Sequence, residues 1–212
     1  EKIGFGDPSL TPVLAIVDPA RMQTVPPTYT AYQGFDALFH NTEVMISKGV
    51  NVLSETIALS AIEHIATYLP RAVAMGTDVE ARKHVAYGST LAGMTMQLTS
   101  TTAQHSMEHA MSAYHPSLPH GAGLIMLSQA YYTHFIEKHC CDERFVRMAQ
   151  ALGKSDAREP MDFITALAGL QQACGVDGLK MSDYGIVREE CEALAQNARA
   201  TMGGLFDCDP TP

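Results

Sequence analysis

Residues 105–121 read HSMEHAMSAYHPSLPHG, and this stretch limits the fold more than any other. His105 and His109 are four apart, so a helix through them stacks both rings on one face, about one turn apart. Tyr114, Pro116 and Pro119 break that spacing, and the helix is expected to stop near Tyr114. His120-Gly121 then opens another apolar run. Four of the nine histidines fall here: His105, His109, His115 and His120. A helical pair followed by a loop histidine can close on one point in space, which is how a metal site is built from imidazoles. The bland alternative is a solvated, inert, histidine-rich helix end and loop.

Most of the chain reads as helix. Apolar spacing through Tyr32, Phe35, Leu38, Phe39 and Met45 predicts a helix over 29–47, with Thr28 as a possible cap after Pro26-Pro27. Gly34 inside it suggests a close backbone approach. Further helices are expected at 52–76, with a break or kink at Pro70, and at 78–98, started by Asp78. The small residues Gly88, Ser89, Ala92 and Gly93 suit tight packing of that last helix. Others follow at 102–114, 121–137, 142–152, 160–173 and 186–202. The one convincing strand is PVLAIV, residues 12–17. A strand needs a sheet partner and none is visible, so a preceding domain is expected to be missing. The class is all-α, with one short orphan strand near the N-terminus.

Composition excludes several roles. Lys plus Arg is 14 against 23 Asp plus Glu, a net charge of −9, which argues against nucleic acid or an anionic membrane as the main partner. No apolar run reaches the roughly 18 residues of a membrane-spanning helix. The five cysteines, Cys140, Cys141, Cys174, Cys191 and Cys208, form no CxxC pair and read as reduced thiols of a cytoplasmic protein. His64 and His84 sit alone on their helices and read as structural or solvent-facing.

A second helical pair, Asp36 and His40, is also four apart. Taken alone it is a helix-surface ion pair or half of a chelate. Together with His105, His109 and His120 it supplies imidazole nitrogens and a carboxylate oxygen, a donor set that suits iron(II) or zinc(II) better than calcium or magnesium.

The stretch GFDALFH (Gly34 to His40), with HSMEH and PHG later, resembles the iron-containing (group III) alcohol dehydrogenase family. The strand followed by Asp18-Pro19, the Pro26-Pro27 helix start and the ending Met202-Gly203-Gly204 match that family too. The resemblance covers essentially the whole chain and corresponds to the family's C-terminal helical domain. It implies metal ligands at Asp36, His40, His105 and His120, and a non-ligand role beside nicotinamide and substrate for His109. The interval from His109 to His120 is one residue longer than in the commoner members, which leaves His115 as a loop residue.

The resemblance further implies oxidation of an alcohol, or reduction of an aldehyde, by hydride transfer with NAD or NADP, with Fe2+ bound, or Zn2+ or another divalent metal in its place. The family binds its dinucleotide through a glycine-rich loop in the N-terminal half, and no G-x-G-x-x-G occurs here. Residues 1–25 are therefore expected to be the residual strand and linker of a missing nucleotide-binding domain, and 26–212 the helical metal-binding domain. The cofactor-binding residues lie mostly outside this chain, which alone is expected to be inactive. The intact enzyme is expected to be a cytoplasmic homo-oligomer. Two other classes fit parts of the pattern. One is a free-standing, non-catalytic helical metal-binding module. The other is a metal-dependent hydrolase, which needs a general-base carboxylate near the metal. Glu108 is on the right helix but is expected to point off the His105/His109 face.

Overall fold

The computed structural model describes residue 2 and residues 7–210. Among them every regular element is helical. The longer helices are α1 (Pro27–Ile46), α2 (Val52–Ala74), α3 (Val79–Leu98), α4 (Ala103–Tyr114), α5 (His120–Glu137), α6 (Asp142–Ala151), α7 (Asp162–Ala173) and α8 (Cys191–Met202). The strand expected at 12–17 is not formed. Val13, Leu14 and Ile16 lie in irregular backbone and are largely exposed. A strand exists only through ladder bonds to a neighbour, and no second strand occurs among the described residues to supply them.

Helix α1 is the axis of the molecule. Phe35, Leu38, Phe39, Val44, Met45 and Ile46 are fully buried along it, and α2, α3 and α5 pack around it. It starts at Pro27, whose fixed φ and missing N–H suit the first helical position. Pro26, and not Thr28, holds the cap position. Arg82 of α3 ties this end down, donating to Thr30 Oγ1 (2.6 Å) and to the carbonyls of Val25 and Gly76 (2.9 Å each). Gly34 does mark a close approach: a Cβ there would lie 2.3 Å from Leu69 of α2. Helix α2 begins with a reciprocal Asn51–Ser54 cap and runs through Pro70 as one helix. Asp78 caps α3 by accepting from the Ala81 amide. Tyr132 of α5 and Phe145 and Phe163 of α6 and α7 close the core with ring contacts 5.1–6.1 Å apart, edge-on at Tyr132 and tilted between the two phenylalanines.

Candidate metal centre

The 3.6-residue period of α1 places Asp36, His40 and Glu43 along one side of it. His40 Nδ1 donates to the backbone carbonyl of Asp36 at 2.8 Å, which leaves Nε2 as the free donor atom of that ring. Glu43 is fully buried. Its Oε2 accepts from the Thr102 amide (2.6 Å) and the Thr102 hydroxyl (2.9 Å) at the start of α4. The next amide, Ala103, donates to Asp209 Oδ1 at 3.1 Å, and Tyr131 OH bridges Thr102 and Asp209 at 2.7 Å each. Two carboxylates thus satisfy orphan N–H groups at the positive end of α4. That seating presents His105, one turn in, to Glu43: its Nδ1 lies 2.5 Å from Oε1. The opposite nitrogen, Nε2, lies 3.3 Å from Asp36 Oδ1.

The third imidazole arrives from α5. His120 is the first residue of that helix, not a loop residue. Gly121 behind it touches the backbone of α1: a Cβ would lie 2.3 Å from the Tyr32 carbonyl oxygen. Only glycine lets α5 start so close to α1, one turn before Asp36. His120 Nε2 is then 3.4 Å from Asp36 Oδ1, and its Nδ1 contacts Glu108 Oε2. All three rings place Nδ1 on an oxygen acceptor; Nε2 of His105 and of His120 then faces Asp36 Oδ1, and Nε2 of His40 is left free. An acceptor on one ring nitrogen fixes the tautomer and orientation of the other, the arrangement that supports metal-binding histidines.

The structure therefore brings Asp36, His40, His105 and His120 together. Ligand atoms of Asp36, His40 and His105 lie within 4.8 Å of one another, and those of Glu108, His109 and His120 form an adjoining set within the same limit. His115 is elsewhere, with Nε2 3.2 Å from Glu190. The expectation for Glu108 is corrected: it is buried and faces the centre, because it follows His105 by three positions and so lies on the same side of α4, where His120 meets it. Glu43 was not singled out from the sequence, although it follows His40 by three positions and so shares its face. Thr102, Tyr131 and Asp209 carry no such local signal.

The charges are strongly coupled. Burial acts to raise the Asp36 carboxyl, but hydrogen bonds from His105, His120 and His40 outweigh it and hold the group well below the usual carboxylate range. Burial acts to lower His105, but the Glu43 and Asp36 carboxylates prevail and push it up to about 10. His120 is raised in the same way by Asp36 and Glu108. His109 goes the other way. Burial, with Lys2 and His120 nearby, lowers it to about 4, and its buried Nδ1 has no hydrogen-bond partner in the described structure. Asp36 and His120 keep about a third of their side chains exposed while His105 keeps 6 %, so the centre opens away from α4. Two clefts of about 350 and 260 Å³ meet there, sharing Gln33 and Asp36. A larger cleft of about 570 Å³ lies beside Lys48, Arg199 and Phe206. It lacks a converging donor set, so chemistry and not volume identifies the centre. Three imidazoles oriented through Nδ1 and one carboxylate fit a divalent iron or zinc ion.

Comparison with known proteins gives the same direction. The family described as Fe-containing alcohol dehydrogenase, C-terminal, matches residues 30–206. The chain is similar to an NAD-dependent methanol dehydrogenase of Bacillus methanolicus (32% identical, 91% of this chain and 51% of that protein). It is also similar to a 1,3-propanediol dehydrogenase of Citrobacter freundii (33% identical, 84% of this chain and 48% of that protein). Among solved structures it resembles an archaeal halo-thermophilic alcohol dehydrogenase from a Red Sea brine pool, with a TM-score of 0.94 at 31% identity, covering 99% of this chain and 53% of that one. The chain spans about half the length of the relatives it matches.

Proposed function

The chain belongs to the Fe-containing alcohol dehydrogenase family, as its C-terminal domain, and from that premise we propose that Asp36, His40, His105 and His120 hold one divalent metal, iron(II) with zinc(II) as the alternative, in an NAD-dependent enzyme that interconverts small alcohols and aldehydes. The observation that carries this reading is the convergence of three rings on Asp36, each with Nδ1 on an oxygen, and with Nε2 of His105 and His120 turned to the Asp36 carboxylate. When bound, the metal supplies Lewis-acid polarisation of a substrate oxygen.

The protein's own residues do the rest. Asp36 stays ionised and offers negative charge to a cation. Glu43 and Glu108 hold the Nδ1–H of two rings, so that the proton a metal displaces is the one on Nε2. His109 is neutral near physiological pH and has a buried, unpartnered Nδ1, which suits a proton relay or orientation of the nicotinamide. Glu108, the carboxylate a hydrolase would need as general base, is engaged with His120, which favours alcohol chemistry over hydrolysis. The relatives' greater length supports residues 26–212 as the metal-binding domain and residues 1–25 as part of the link to a nucleotide-binding half. Among the described residues no helix is long and apolar enough to cross a membrane. Five free thiols support the cytoplasm as the site of action, and the proposal takes the intact enzyme as a homo-oligomer.

The test is metal analysis of the purified chain, then NADH formation by the intact protein with methanol or 1,3-propanediol, the substrates in its relatives' names. His109→Ala is expected to keep the metal and lower turnover by about 100-fold or more. A chain that takes up no divalent metal, or a metal-loaded intact protein that oxidises no small primary alcohol, overturns the reading.

A further inference from the structure

His64 and His84 are not alone on their helices. They meet across the α2–α3 contact, with Nδ1 of one 3.0 Å from Nδ1 of the other. Their ring planes are 11° apart. We propose that this pair is a second, surface cation site, in which the two Nδ1 atoms are cis ligands of one divalent transition-metal ion of the copper(II) or nickel(II) type.

The surroundings prepare both rings. His84 Nε2 lies 2.9 Å from Glu80 Oε1, one turn earlier on α3, so that nitrogen carries the proton and Nδ1 keeps its lone pair. This is the same carboxylate–imidazole unit that orients His105 and His120. Tyr68 stacks on His84 at 3.9 Å with a 13° tilt, and Tyr87 meets the His64 ring edge-on at 4.9 Å. These contacts hold the two rings side by side on both helices, and on binding each ring turns so that both Nδ1 lone pairs meet one ion. In the ion-free pair His64 Nδ1–H donates to His84 Nδ1. On binding, that proton leaves Nδ1 and Nε2 takes one from water, so His64 changes tautomer without changing charge.

Spacing selects the ion. At metal–nitrogen distances of about 2.0–2.1 Å, two nitrogens 3.0 Å apart subtend roughly 95° at the metal. That is a cis pair of a tetragonal or octahedral ion; a tetrahedral ion would require the rings to separate. Water completes the coordination, since the His84 and Glu80 side chains are 19% and 55% exposed. Nearby cations do not block it. Lys83 is drawn to Glu80 at 3.5 Å, and Arg71, over the Tyr68 ring, is paired with Asp78 at 2.8 Å. Two protein ligands make a weaker, more exchangeable site than the buried centre, and an ion there ties α2 to α3.

Titration of the chain with Ni2+, followed by calorimetry and by melting temperature, tests this. Wild type is expected to show two classes of site. His64→Ala/His84→Ala keeps the tighter class and loses the weaker, with its share of the rise in melting temperature. Asp36→Ala/His105→Ala does the reverse, so failure of the buried centre and failure of the surface pair read out separately. Glu80→Gln weakens the second class by about tenfold. With Cu2+ added to the Asp36→Ala/His105→Ala protein, electron paramagnetic resonance is expected to show nitrogen couplings that weaken when His64→Ala/His84→Ala is added to it. The proposal is overturned if that double variant, with its helical circular dichroism intact, binds as many ions with the same affinities as wild type. It is also overturned if the Asp36/His105 variant binds none.

Discussion

The α1–α4–α5 centre and the His64–His84 pair use the same unit, an imidazole oriented by a carboxylate, in opposite settings. At the centre Glu43 and Glu108 are buried and His105 is nearly so; at the pair Glu80 stands mostly in water. Burial converts an ordinary ion pair into a strong one, because the field of Glu43 and Asp36 on His105 is little screened. A carboxylate in water steers its ring but binds little. The contrast teaches that histidine spacing alone does not rank two sites. What ranks them is how many buried acceptors stand behind the rings and which helices are bolted in place to hold them.

The sharpest break of this comparison is removal of a ligand. Asp36→Ala or His105→Ala is expected to abolish metal uptake at the centre, read by elemental analysis, while leaving the surface pair unaffected. Retained uptake at the centre would mean that the ligands are misassigned. Next is Glu43→Gln, which keeps shape but removes the charge behind His105. A 10–100-fold loss of affinity is expected in chelator competition, a larger effect than that of Glu80→Gln. Equal effects would erase the distinction between buried and exposed carboxylates.

The pH response sharpens it further. His105 is raised from 6.5 to about 10, so in chelated protein its proton stabilises the fold fully below about pH 6.5 and that contribution is lost as pH rises through about 10. Metal must displace the same proton, so affinity at the centre should climb across that window. Melting curves and proton release in calorimetry check both signs. Gly121→Ala should cost about 1–3 kcal/mol and weaken metal binding, because its methyl meets Tyr32 backbone. The smallest effect expected is a gain of about 0.4–1 kcal/mol from Gly93→Ala on α3, where a Cβ meets nothing within 4 Å. Both are read by denaturant unfolding.

Much of this was legible in the chain. Apolar periodicity located the helices to within a few residues, and the four-residue spacings of Asp36/His40 and His105/His109 reported shared faces. The strand at 12–17 failed because β structure depends on a partner that no local pattern reveals. His64 and His84 carry no local sign of each other because they are twenty residues apart on different helices, and only the α2–α3 packing joins them. The Glu108 expectation fails for a local reason: three positions after His105, it shares that side of α4 as Glu43 shares the side of His40. Thr102, Tyr131 and Asp209 converge from three elements and could be found only in the folded chain.

Asp36, His40 and Glu43 ride on one continuous helix, and this limits how the gene can change. Each residue added to a helix turns everything after it by about 100° and shifts it by about 1.5 Å. A single codon inserted between Asp36 and Glu43 would swing part of the centre to another face, whatever residue it encoded. The connection from His115 to Pro119 lies between helices, where an added residue bulges outward and leaves both ends in place. Within α1, then, the ruler matters more than the alphabet: substitutions off the centre's face can be absorbed, whereas a change of length cannot.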